Sequence, residues 1–125
     1  MGTVSAPEQL DPRVATLPTG DGTVVAGSRC GACDYVMAFG RLRCPRCAGS
    51  VVDAEFGPAG TVWASTVVRV PVHGRTPPYA LAYVDLDDGP RVLAHVAEVP
   101  GPLPVGTRVR LEERTQDGDL QVVMA

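Results

Sequence analysis

Residues 30–47 read CGACDYVMAFGRLRCPRC, two Cys-x-x-Cys pairs, Cys30/Cys33 and Cys44/Cys47, with ten residues between them. Each pair makes a tight turn that aims two sulfurs at one point. Two such turns at the ends of a short hairpin supply the four ligands of a tetrahedral zinc site, with Zn–S distances of about 2.3 Å. Gly31 and Pro45 suit these turns, because glycine permits positive φ or close backbone approach and proline stiffens the second knuckle. Four thiolates fill every position on the metal and leave none for water or substrate. The spacing therefore points to a structural centre with one Zn2+ per chain. The chain has four cysteines and the motif uses all four. A lobe this short cannot bury a core of its own, so the metal is expected to hold it together. A rubredoxin-like redox iron site would suit CPRC, but the spacer is short for that family. Disulfide pairing is the remaining alternative.

On either side of the clip the sequence reads as β-structure. TVVAG (23–27) is a short strand leading into the first pair, and SVVDAEF after the second pair holds another. Gly57 and Pro58 mark a hinge. From Gly60 onward the apolar period is two. In TVWASTVVRV the even positions Val62, Ala64, Thr66, Val68 and Val70 form the expected inner face. YALAYVDL places Ala80, Ala82, Val84 and Leu86 together, and RVLAHV does the same with Val92, Ala94 and Val96. RVRLEE turns Val109 and Leu111 inward, and LQVVMA aligns Leu120, Val122 and Met124. HGRTPP, DDGP, PGPLPVG and QDGD are turn signals between these runs. Five strands without a convincing amphipathic helix predict an all-β chain. Its expected parts are an N-terminal rubredoxin-like zinc ribbon (23–57) and a small antiparallel OB-fold barrel (58–125). Residues 1–22, rich in Pro, Gly, Thr and Asp, are expected to form an extended arm.

Composition narrows the function classes. Net charge is −3 with pI near 5.2, and all eleven basic residues are Arg. That balance argues against broad phosphate-backbone binding. No apolar run approaches the roughly 18–20 residues needed to cross a membrane, and the N-terminus lacks a signal-peptide layout. A reducing cytoplasm is the expected compartment, where clustered cysteines hold metal rather than disulfides.

No catalytic constellation is expected. The cysteines are committed to metal, no serine sits in a GxSxG elbow, and His95 is expected to be exposed on a polar strand face. Asp85, Asp87 and Asp88 read as a hairpin turn capped by its own side chains. Trp63 and Tyr83 fall on non-core registers of neighbouring strands and are expected to form an exposed aromatic patch. Arg69, His73, Arg75 and Tyr79 flank the turn-rich loop at residues 71–79, which suits an anionic ligand or a protein partner.

The order of motifs is informative in itself: CGAC, hairpin, CPRC, a Gly-hinged linker, GTVWASTVV, PPYALAYVDLDDGPRVL and the late VGTRVRL. Over roughly residues 23–114 this resembles the zinc-ribbon/OB-fold family associated with acyl-CoA metabolism. The resemblance implies a non-catalytic accessory subunit of a thiolase-superfamily enzyme, whether thiolase, aldolase or acyltransferase. It implies a hetero-oligomer around a thiolase-fold dimer, with acyl-CoA at the interface and the catalytic residues on the partner. The alternative functions are a nucleic-acid-binding ribbon/OB module and a stand-alone electron carrier.

Overall fold

The computed structural model describes residues 13–72, 74–97 and 101–125. Its N-terminal sheet is organised by β2 (Gly22–Cys30). β1 (Thr16–Thr19) and β3 (Val36–Met37) follow one another along one edge of β2, and β4 (Val51–Phe56) takes the other, all antiparallel. Val25 thus lies opposite both Thr16 and Phe56, and Arg29 opposite both Val36 and Val52.

β5 (Ala59–Val68), β6 (Tyr79–Leu86), β7 (Arg91–Val96), β8 (Arg108–Glu112) and β9 (Gln121–Met124) close a barrel in the order β5-β6-β7-β9-β8. The pairings are antiparallel except at the β7–β9 seam, where His95 meets Gln121 and Val96 meets Val122 in parallel. The expected all-β ribbon-plus-OB architecture is therefore present, with one parallel seam added. Closure leaves the barrel no unpaired edge. Alternation fills it as the sequence implies: Ala80, Ala82, Val84 and Leu86 from β6, Val92, Ala94 and Val96 from β7, and Val109 and Leu111 from β8 are all buried. Met124 departs from the expected alignment, lying half-exposed at the end of β9.

β5 corrects the expected inner face. Val62 pairs with Val84, but Ala64 pairs with Tyr83, so Trp63 is an extra residue in a β-bulge. Beyond a bulge the facing of side chains inverts. Ser65 and Val67 therefore face the barrel core, while Thr66 is exposed; Val70, past the strand, is exposed too. The inward Ser65 is satisfied: its hydroxyl donates to the Leu81 carbonyl (3.0 Å) and accepts from the Leu103 N–H (3.0 Å). That bond holds buried Leu103 at its place in the core.

The two lobes share one apolar seam. The cross-strand partners Val25 and Phe56 belong to the barrel's core cluster, and a Cβ at Gly89 would stand 2.8 Å from the Phe56 side chain. The hinge is fixed, because the Pro58 carbonyl accepts from the Leu111 N–H at 2.8 Å. Residues 1–12 of the expected arm lie outside the described residues. Its remainder forms β1 and the turn into β2, and the Arg114 guanidinium donates to Thr16 Oγ1, to the Gly118 carbonyl and to the Val14 carbonyl. Among the described residues no helix is long and apolar enough to cross a membrane.

Candidate functional site

The end of β2 and the two knuckles bring Cys30, Cys33, Cys44 and Cys47 together, with all four Sγ atoms within 4.8 Å of one another. Cys30 and Cys47 are 3.5 Å apart at sulfur, and Cys33 and Cys44 are 3.7 Å apart. A tetrahedral metal with bonds of about 2.3 Å requires sulfur–sulfur edges of about 3.8 Å, so the donor set fits a four-thiolate centre. The backbone is arranged for thiolates. Cys30 Sγ accepts from the Ala32 and Cys33 N–H groups (both 3.3 Å), Cys44 Sγ from Arg46 (3.3 Å) and Cys47 Sγ from Gly49 (3.4 Å).

The two knuckles are built alike. Each closes with a bond from the residue after its second cysteine to the carbonyl of its first, Asp34 to Cys30 (3.1 Å) and Ala48 to Cys44 (2.8 Å). Asp34 (φ 64°) and Ala48 (φ 65°) carry the left-handed conformation. The expectation placed on Gly31 is corrected, since a Cβ there would make only an ordinary contact, 3.5 Å from the Ser50 carbonyl. The glycines that closeness demands are Gly27, where a Cβ would lie 2.2 Å from the Met37 carbonyl, and Gly49, where it would lie 3.2 Å from Cys47 Sγ. Buried Ser28 completes the attachment of the hairpin by donating to the Phe39 carbonyl at 2.6 Å.

Crowding four thiols has an electrostatic cost that a dication removes. Backbone donation from Cys33 leads the influences that lower the Cys30 thiol to about 6. At Cys47 the Gly49 N–H also favours the thiolate, but the neighbouring thiols, Cys30 foremost, together with burial outweigh it and raise the group to about 12. A cation bound through these sulfurs as thiolates would displace their protons, so its uptake would be coupled to proton release.

The sequence-predicted residues around the 71–79 loop are partly gathered. The Arg75 guanidinium donates to Asp119, lies 3.7 Å from an Asp117 oxygen and stacks over the Tyr79 ring at 5.9 Å. Tyr79 in turn packs on His95, with ring centroids 5.5 Å apart. Arg69 stands exposed just beyond β5. His73 lies outside the described residues. His95 departs from expectation: its side chain is only 16% exposed, with Nε2 3.6 Å from Asp119. Burial, then the nearby Arg75 charge, lowers its pKa against the opposing pull of Asp119 and Asp117. Sequence reading missed Asp117 and Asp119 as members of this group, because QDGD carried only a turn signal.

The DLDDG turn is also corrected. Its carboxylates are held by arginines from neighbouring strands, Asp85 by Arg91 (2.7 and 3.2 Å) and Asp87 by Arg108 (2.8 and 2.7 Å), and both acids are lowered by those bonds. Trp63 and Tyr83 do meet on the surface, edge to face at 6.0 Å.

A four-cysteine ribbon fused to a closed five-stranded OB barrel defines the class of this protein. Residues 53–114 match the family model described as the C-terminal OB-fold domain of ChsH2. The match spans the barrel from β5 to β8 and the strand before it, and it agrees with the acyl-CoA-associated OB-fold family that the motif order resembles. A solved structure titled "Ltp2-ChsH2(DUF35) aldolase" contains a chain of similar fold. The TM-score is 0.65 at 24% identity, covering 79% of this chain and 83% of that one.

Proposed function

We propose that this chain is a non-catalytic accessory subunit of a thiolase-superfamily enzyme. It would assemble as a hetero-oligomer around a thiolase-fold dimer and help frame the channel for its acyl-CoA substrate. The observation that carries the reading is the likeness, over 79% of this chain, to a chain in a structure titled "Ltp2-ChsH2(DUF35) aldolase". The family of the barrel and the four-sulfur geometry support it.

In this reading the ribbon (23–57) and barrel (58–125) are the two working lobes. The resident metal is Zn2+, one per chain, held by Cys30, Cys33, Cys44 and Cys47. Its thiolates persist in a reducing cytoplasm. The metal supplies rigidity: four thiolates leave it no open position. Arg69, Arg75 and Tyr79 would face the acyl-CoA entrance. Arg69 is the exposed guanidinium able to meet a phosphate, whereas Arg75 is engaged by Asp119 and positions Tyr79.

Co-expression with candidate thiolase-fold enzymes from the same organism tests the proposal. The expected result is a complex of fixed stoichiometry that turns over an acyl-CoA thioester, while the isolated chain turns over none. Failure of every candidate to co-purify, or thioester turnover by this chain alone, would end the proposal.

A further inference from the structure

Between residues 29 and 47 the chain carries four arginines, Arg29, Arg41, Arg43 and Arg46, against a single acid, Asp34. This is a basic tip on a molecule of net charge −3. The barrel arginines Arg75, Arg91 and Arg108 are paired with aspartates, whereas Arg41, Arg43 and Arg46 have no ion pair among the described residues. Four of the six aromatic side chains, Tyr35, Phe39, Trp63 and Tyr83, are surface-exposed, and Leu42 at the hairpin tip is 94% exposed.

These features form one continuous band. Arg46 lies over Tyr35 at 5.5 Å. Tyr35, Phe39 and Arg41 line a groove of about 420 Å³ whose far wall is Pro90 and Arg91 of the barrel. Arg91, fixed by Asp85, lies over the Trp63 ring with Cζ 3.8 Å from its centroid, and Trp63 meets Tyr83. Exposed aromatic rings beside arginines are the composition of interface hot spots. Uncompensated guanidiniums favour an acidic counterpart and make association salt-dependent.

We propose that this band, running from the ribbon hairpin across the β6–β7 turn to Trp63 and Tyr83, is the face on which the partner enzyme docks through an acidic, apolar-centred surface. The inference rests on the accessory-subunit reading and adds the place and chemistry of contact. A hairpin pinned by its four cysteines would hold Arg41 opposite Pro90 and Arg91 and keep Arg46 over Tyr35.

The test uses the full chain and the thiolase-fold enzyme with which it co-purifies, with affinity measured by titration calorimetry at two salt concentrations. Arg41→Glu with Arg46→Glu should weaken binding at least tenfold and flatten its salt dependence. Trp63→Ala and the fully exposed Leu42→Asp should each weaken it at least tenfold, and Met124→Ser on β9 should leave it unchanged. Metal content and thermal midpoint serve as the folding check, and Leu42→Asp is too exposed to disturb them. If the wild-type pair binds and the band variants bind equally well, the face is wrong while the accessory role stands. If the wild-type pair does not bind, both fall. Retention of a mixed-sequence oligonucleotide by the isolated chain, lost in the same arginine variants, would overturn the assignment to a protein partner.

Discussion

From Cys30 to Cys47 only Cys30, Met37 and Cys44 are buried, whereas the barrel encloses Val84, Val109, Leu111 and Val122 with no exposure at all. The knuckle segment thus encloses little besides two of its four cysteines, whereas the barrel has an interior of interlocking aliphatic side chains. Small lobes cannot exclude enough apolar surface to fold alone, and metal ligation supplies the missing stabilisation. The barrel is large enough to do without. The seam at Val25 and Phe56 lets the second lobe orient the first, so a ribbon of few apolar contacts still points in one direction.

The largest blow to this contrast should come from Cys44→Ser. Apparent zinc affinities in ribbon-sized peptides are about 10–16 kcal/mol, so losing one buried ligand should reduce bound metal from one per chain to a small fraction, read by elemental analysis. A smaller effect is expected from Leu111→Ala in the barrel. Deleting those buried methyl groups should cost about 2–5 kcal/mol in urea unfolding while leaving metal content unchanged. The smallest should be a pH effect at His95. Its folded pKa is lowered, so the folded state prefers the neutral imidazole. Its contribution is fully present above the ordinary value of 6.5 and declines as pH falls through that value toward the lowered one. The melting midpoint should drop through that window, and His95→Gln should flatten the drop.

Regions that obey a single local rule were legible from the sequence. Cysteine spacing defined the ribbon because ligand geometry is local, and β6, β7 and β8 showed their inner faces because each alternates without interruption. β5 did not, since Val67 and Val68 are both apolar and leave the facing undecided once a bulge at Trp63 inverts it. The parallel β7–β9 seam was equally hidden, because alternation reports which side of a strand is buried and not which strand lies beside it. The role expected of Gly31 belongs to Gly27 and Gly49, since the need for a missing Cβ arises from Met37 and Ala32, which only folding brings near them. The aspartates at 117 and 119 were read as turn residues because their partners, Arg75 and His95, are brought to them only by barrel closure.

The division of labour between metal and apolar core is tested most directly by hydrogen exchange on Cys44→Ser. The amides of the ribbon hairpin, including the Cys30 and Cys44 N–H groups now bonded at 2.8 and 2.9 Å, should exchange freely. Those of β6 and β8 should keep native protection. Equal loss of protection in both lobes, or an intact ribbon without metal, would contradict the account.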